Sequence, residues 1–341
     1  MKLTTMRARF RTTLSSIKWQ DAVRIALALI LMGIVLARTS FTEIVALRDR
    51  LSWMWLVASF ILFITTTLVK TVQYWVLLGR QTSYRNTLRI VIIQNALTNF
   101  VANTAGIASY LAMFQMEENV KVRKSGAVFI LTKAGDLLCM GLFLLVSASF
   151  VWPRVLALHQ LVILLLAALA AGLAVFWAAV FLRQSFVGFL RRLAEMIRLD
   201  RLSMVQKALF ALDSLASQDT KTVTQTLVTG AMLSFLYMLA TMAYGYTRVQ
   251  TFQIPLDFWG ILFIASLMQF ISMIPFQVFG GLGVTEISMV YLYGLFGFAD
   301  EIPAILVALR VLFYIFNLVL LAYVPLDASL SREKPVPANG K

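Results

Sequence analysis

The sequence predicts an all-α polytopic membrane protein with six full transmembrane helices and two oppositely oriented re-entrant, broken helical hairpins. Three observations carry that prediction. Of the 341 residues, 60% are hydrophobic and 13% charged, with a mean hydropathy of +0.83, where a soluble domain carries about 25% charged residues. Apolar runs close to the roughly 20 residues that cross a bilayer recur along the chain. Finally, 30 Lys and Arg against 16 Asp and Glu give a net charge of +14, and the basic residues fall in short segments between apolar runs. That pattern is the positive-inside rule rather than a soluble basic module, so nucleic acid is not an expected partner. The single Cys139 and single His159 exclude an intramolecular disulfide, a cysteine cluster and a multi-histidine zinc site, and no metal or cofactor is expected.

In chain order, residues 1–21 form a basic N-terminus with Lys2, Arg7, Arg9, Arg11 and Lys18, expected in the cytoplasm. The run 22–37 reads as a signal anchor, because no small-residue cleavage site follows it. Further apolar runs lie at 53–78, 88–114, 125–152, 158–182, 222–246, 258–274, 284–298 and 303–324. Arg80, Arg85 and Arg89 after the second run belong inside. Lys121, Arg123 and Lys124 would then lie outside if 88–114 crossed once. A re-entrant hairpin over about 88–114 removes the conflict, with a helix break among Asn99, Asn103, Thr104 and Gly106 and halves of about 12 residues, or ~18 Å each. The connector 183–221 carries seven basic residues and is expected inside, in part as an amphipathic surface helix. A second hairpin over about 258–298 leaves from and returns to the outside, near Asp300 and Glu301. Residues 22–325 thus read as one transmembrane domain, followed by a cytoplasmic tail at 326–341.

The second break is the clearer one. Pro275 ends a helix, Gly280, Gly281 and Gly283 permit backbone conformations closed to other residues, and a new helix starts near Val284. Free N–H groups at such a start attract phosphate or carboxylate. Close helix packing asks for the same glycines, and spacing alone leaves both readings open.

The stretch Ile274-Pro275, then Gly280-Gly281-Leu282-Gly283-Val284-Thr285-Glu286, with Arg310 in the last span, resembles the lysylphosphatidylglycerol synthase transmembrane family of flippase-like integral membrane proteins. Asn95 to Gly106, Ser125-Gly126-Ala127, and Lys133 with Asp136 resemble its first broken helix and the following span. The resemblance covers nearly the whole chain. It implies a lipid transporter in a bacterial inner membrane; the placing of both termini in the cytoplasm rests on the basic residues of the N-terminus and on Arg332 and Lys334 of the tail. Family members often carry a Pro and a Gly-Glu pair followed by Arg in the first hairpin, whereas here Ile107, Ala108, Ser109 and Tyr110 follow Gly106; a different headgroup or a lost activity is implied. The family region also occurs fused to a soluble aminoacyl transferase. About 16 polar residues follow Pro325 here, too few for a catalytic fold, so this chain is not expected to be an enzyme.

Ionisable residues inside spans are costly and mark partners or cavities. Lys70, Lys133, Asp136, Glu286 and Arg310 stand out, with a formal sum of 3 − 2 = +1 that suits one anionic headgroup if all share a cavity. Lys133 and Asp136 are three apart and can pair with each other. Lys70, two turns from the cytoplasmic end, reads as snorkelling to the interface. Asn95, Asn99 and Asn103 recur every four residues on one face, and Asn317 lies seven beyond Arg310 on its side. Ser234, Tyr237, Thr241 and Tyr244 form a similar stripe, of a kind that commonly supplies helix-packing hydrogen bonds. The candidate substrate-binding set is therefore Arg310, Glu286, Gly281, Gly283, Thr285, Lys133, Asp136, Asn99, Asn103 and Asn317. The first functional reading is translocation of an anionic, phosphate-bearing lipid or lipid-linked precursor. The second is a non-transporting scaffold for a lipid-modifying enzyme or glycosyltransferase, held through the basic connector. An intramembrane enzyme comes third, disfavoured by the scarcity of His and Cys. Membrane lipids are the expected partners, and self-association is compatible with either of the first two.

Overall fold

The computed structural model describes residue 33 and residues 46–196, 220–272, 281–298 and 302–332. The expected first span at 22–37 and its basic leader, the connector residues 197–219, Pro275 and Gly280 of the second break, Asp300, Glu301 and the end of the tail lie outside the described residues. Among the described residues all regular structure is helical.

Helix α1 (Trp53–Leu77) shows how the sequence meets its surroundings. Ser59, Phe63, Thr67, Lys70, Thr71 and Tyr74, at helical spacing, are buried, while Trp53, Met54, Val57 and Ile61 are exposed. A water-soluble helix turns its apolar side inward; this one turns hydroxyls and an ammonium inward and tryptophan and isoleucine outward, as a lipid environment requires. The helix stops where Gly79 (φ 74°) and Arg80 (φ 56°) adopt left-handed conformations, with Arg80 N–H donating to Trp75 O at 3.0 Å.

Helices α2 (Tyr84–Phe100) and α3 (Asn103–Glu118) form the first hairpin. Ser83 caps α2 by accepting from Asn86 N–H. The break falls at Val101 and Ala102, whose N–H groups both donate to Leu97 O at 3.0 Å. The two helices return to the same end, where Asn86 Nδ2 donates to Glu118 Oε1 at 2.6 Å and Arg89 pairs with Glu117. Gly106 lets them close: a Cβ there would sit 1.9 Å from Thr98 Oγ1 and 2.8 Å from Gln94 O. The halves are 17 and 16 residues long, longer than the 12 expected from the apolar run, because polar first and last turns extend the helices beyond it. Each is still short of the ~20 residues that cross a hydrocarbon core.

Helix α4 (Val122–Val151) follows, then two 3-10 turns and α5 (His159–Met196). At 38 residues, α5 is about 57 Å long. It runs without interruption past the expected end of its span at 182, so residues 183–196 continue the same helix instead of starting a separate surface helix. No proline falls between 183 and 196, the single Gly188 is tolerated within the helix, and the amphipathic pattern read there is that of the helix's own continuation. Helix α6 (Thr220–Gln250) packs on α1 and α4, then α7 (Phe258–Ser272) and α8 (Val284–Gly294) form the second pair, and α9 (Ile302–Leu321) and α10 (Tyr323–Arg332) complete the described fold. Five helical stretches are long and apolar enough to cross a membrane: Trp53–Leu77, Val122–Arg154, Leu156–Ala174, Gln225–Gln250 and Ile302–Asp327.

Two apolar clusters fix the topology. Tyr74, Leu78, Ile90, Tyr110, Phe114 and Val128 gather the end of α1, the mouth of the first hairpin and the start of α4. Val151, Val155, Phe252, Ile261, Tyr293 and Ile302 gather the end of α4, the end of α6, the mouth of the α7–α8 pair and the start of α9. Since α4 runs from the first cluster to the second, the two hairpins open at opposite ends of the bundle. The first end also holds Arg80, Arg85, Arg89, Lys121, Arg123 and Lys124, and there Arg85 pairs with Asp327 of α10.

Candidate functional site

The tip of the first hairpin and the start of α8 in the second both reach one face of α9. At the tip of the first, Asn99 Nδ2 donates to Asn317 Oδ1 at 2.7 Å and the Phe100 ring stacks on Tyr314 with centroids 5.5 Å apart. At the start of α8 in the second, Glu286 is 2% exposed and pairs with Arg310, whose Nε donates to Glu286 Oε1 at 2.5 Å. Arg310, Tyr314 and Asn317 stand at i, i+4 and i+7 and so share that face. The Tyr314 ring centroid is also 5.7 Å from the Arg310 guanidinium, within cation–π range.

The glycines at the second break have a specific task. Gly281 and Gly283 both adopt φ 82°, which side-chain-bearing residues rarely tolerate. Thr285 N–H then donates to Gly281 O at 2.9 Å, and Gly283 N–H donates to Glu286 Oε2 at 2.6 Å. The Glu286 carboxylate thus occupies the place of an anion at the helix start, held by a backbone donor and by the Arg310 guanidinium. The Gly283 N–H at this helix start is thus already engaged by the chain's own carboxylate.

A second buried pair lies between α1 and α4. Lys70 Nζ donates to Asp136 Oδ2 at 2.5 Å and to Gln73 Oε1 at 3.0 Å, and lies 4.1 Å from the Tyr237 ring centroid. Gln73 Nε2 donates onward to Ser234 Oγ at 2.6 Å. Gly135 makes this three-helix junction tight, since a Cβ there would meet Ser234 Oγ at 2.4 Å. Removing one partner of such a buried pair costs about 3–5 kcal/mol, because the other charge is left without compensation.

Several expectations are corrected. Lys70 does not snorkel; it is 7% exposed and turned into the bundle. Asp136 pairs with Lys70 rather than with Lys133, because helix rotation points the aspartate into the α1–α4 contact and leaves Lys133 exposed, 5.9 Å from the Phe129 ring centroid. The five charges therefore form two internally neutral pairs plus Lys133, not one shared cavity. Phe63 packs against Tyr244, Phe313 and Phe316 where α1 meets α9. Asn95, Asn99 and Asn103 do not form one continuous face, since the break puts Asn103 at the start of α3. The α6 stripe faces α1 through Ser234, Tyr237 and Tyr244, as a packing stripe. Sequence reasoning missed Gln73, Phe100 and Tyr314. The positions of Gln73 and Tyr314, three beyond Lys70 and four beyond Arg310, were the available signal.

Residues 22–322 match the family model described as the lysylphosphatidylglycerol synthase TM region. Neither the curated proteins nor the solved structures give a significant match. The match spans most of the chain, and with five helices long and apolar enough to cross a membrane, it makes this protein an integral membrane member of the lysylphosphatidylglycerol synthase TM-region family.

Proposed function

We propose that the protein translocates an anionic, phosphate-bearing lipid or lipid-linked precursor across a bacterial inner membrane, carrying out no bond-making step itself. The observation that carries this reading is that the first hairpin's tip and the start of α8 both contact α9, beside a guanidinium that already holds an anion at a helix start. Both hairpins are built from helices too short to cross, which suits re-entrant segments whose tips sit near the midplane, where broken helices place transport sites. A lipid phosphate offers the same oxygens as the Glu286 carboxylate and competes with it for Arg310 and Gly283 N–H. The lipid tails stay in the bilayer while the headgroup follows the polar face. The arginine- and lysine-rich end, with Arg80, Arg85, Arg89, Lys121, Arg123 and Lys124, faces the cytoplasm by the positive-inside rule.

Native mass spectrometry of gently purified protein tests this. The reading expects an anionic phospholipid retained by the wild type, lost from Arg310→Ala and retained more strongly by Glu286→Gln, which weakens the internal competitor. Retention indifferent to both substitutions contradicts it. A scaffold reading draws on the long helix α5, which carries the exposed Arg191 and Arg192. It predicts function lost on neutralising those arginines and kept in Arg310→Ala.

A further inference from the structure

Arg248 stands in the last turn of α6, at the end of the bundle opposite Arg80, Arg85 and Arg89. Basic residues are thinned out at that end by the positive-inside rule, and an arginine so near a helix end ordinarily turns outward to the lipid–water interface. Arg248 turns inward instead. It is partly buried, its guanidinium lies 5.9 Å from the Tyr244 ring centroid, and its charge acts on Tyr244 and on Tyr293 of α8, which is 2% exposed in the apolar cluster at that end. Among the described residues no carboxylate pairs with it, whereas Arg154 at the same end pairs with Asp257.

The neighbouring Tyr244 hydroxyl is buried and outside hydrogen-bond geometry with any group. Buried polar atoms are almost always bonded, so this one calls for a reason. A guanidinium offers five N–H donors and no acceptor, and a phenol adds a sixth donor while accepting one bond. Donors are in surplus and a full positive charge is uncompensated. A water would accept some of these bonds and leave the charge; the oxygens of a phosphate group answer both, in the planar, forked geometry an arginine favours.

Helix α8 ties this place to the site already described. Glu286, the partner of Arg310, and Tyr293, the neighbour of Arg248, stand at i and i+7 on one face of α8, about 10 Å apart along it. On the other side, Phe63 packs against both Tyr244 and Phe313, and the Arg310 guanidinium lies 5.9 Å from the Phe313 centroid. The two guanidiniums are thus connected through rings, with no competing acid on that route. We propose that Arg248 and the Tyr244 hydroxyl form a second anion station, at the outer mouth of the lipid path, which takes the phosphate group about one and a half nanometres or less from Arg310. This rests on the proposed lipid translocation and names where the headgroup is held on its outer side.

The test titrates phosphatidylglycerol into phosphatidylcholine nanodiscs holding the full chain and counts bound molecules by native mass spectrometry. The wild type should show two steps, a tight one lost in Arg310→Ala and a weaker one. Arg248→Gln should weaken only the second step, about tenfold, and Arg248→Lys should weaken it less, since lysine keeps the charge and loses the fork. Tyr244→Phe keeps the ring against Phe63, removes only the hydroxyl and should weaken that step about threefold. Inorganic phosphate that displaces the second molecule would show a station for phosphate itself; a second molecule indifferent to inorganic phosphate would show a station for the lipid headgroup. A missing second step, a second step untouched by Arg248→Gln and Tyr244→Phe, or both steps weakened alike as a merely structural role predicts, overturns the outer station and leaves the translocation reading standing. No bound phosphatidylglycerol at all overturns both.

Discussion

Glu286 and Arg310 show most directly how a costly residue becomes useful. Each alone would be an uncompensated charge within a span; together, with Gly283 N–H, they form a closed set of charge-assisted bonds. The same logic makes Lys70→Met a sharp test of the other pair. It should destabilise the protein by about 3–5 kcal/mol, seen as a lowered unfolding temperature in detergent, whereas Lys70→Met with Asp136→Leu should recover most of the loss. Equal damage from the single and double variants would show that the pair is not the source. Gly106 gives a packing counterpart. Gly106→Ala should cost about 1–3 kcal/mol through overpacking, with partial rescue by Thr98→Ala, which removes the nearer clash but leaves the Gln94 carbonyl. At this scale the sequence announced which residues are expensive, but not their partners. Lys133 and Asp136 looked paired because local spacing is readable, whereas the true partner Lys70 is 66 residues away and depends on how two helices are rotated.

At the scale of elements, the apolar runs located most helices to within a few residues, because span length and polar flanks are set by the bilayer. The break at Val101 and Ala102 falls between Asn99 and Gly106, where turn-forming residues interrupt the apolar pattern. Hairpin length was less readable, since the polar turns from Tyr84 and up to Glu118 are held by Asn86–Glu118 and Arg89–Glu117 contacts rather than by hydrophobicity. The continuity of α5 past residue 182 was also hidden, because a span and the helix beyond it differ in composition and not in backbone. The hairpin tip yields its own prediction. Cysteines replacing Asn99 and Asn317, in a background with Cys139→Ser, should be joined readily by a short bifunctional thiol reagent, with lipid translocation arrested and then restored on cleavage of the link. Efficient cross-linking with unchanged translocation would show that the tip does not move away from α9 during transport.

At the scale of the whole molecule, two hairpins opening at opposite ends and both contacting α9 give a bundle whose buried core is largely apolar, with a few polar and charged pairs set into it and many large apolar side chains on its outside. Charge asymmetry made that arrangement readable in advance: one crossing at 88–114 would have put Lys121, Arg123 and Lys124 on the wrong side, and only a hairpin kept them with Arg80 and Arg85. Cysteine substitution at Arg80 and at Arg154 should give opposite accessibility to a membrane-impermeant thiol reagent in intact cells, with Arg154 labelled and Arg80 protected. Labelling of both from the same side would invalidate the topology. The central claim, that an anionic headgroup crosses where the hairpin tips meet, is tested most directly by proteoliposomes that report translocation of fluorescent phosphatidylglycerol and phosphatidylcholine separately. The wild type should move the anionic lipid faster than the zwitterionic one, and Arg310→Ala should abolish that difference while the protein stays folded. Equal rates for both lipids in the wild type, or an undiminished preference in Arg310→Ala, would contradict the account.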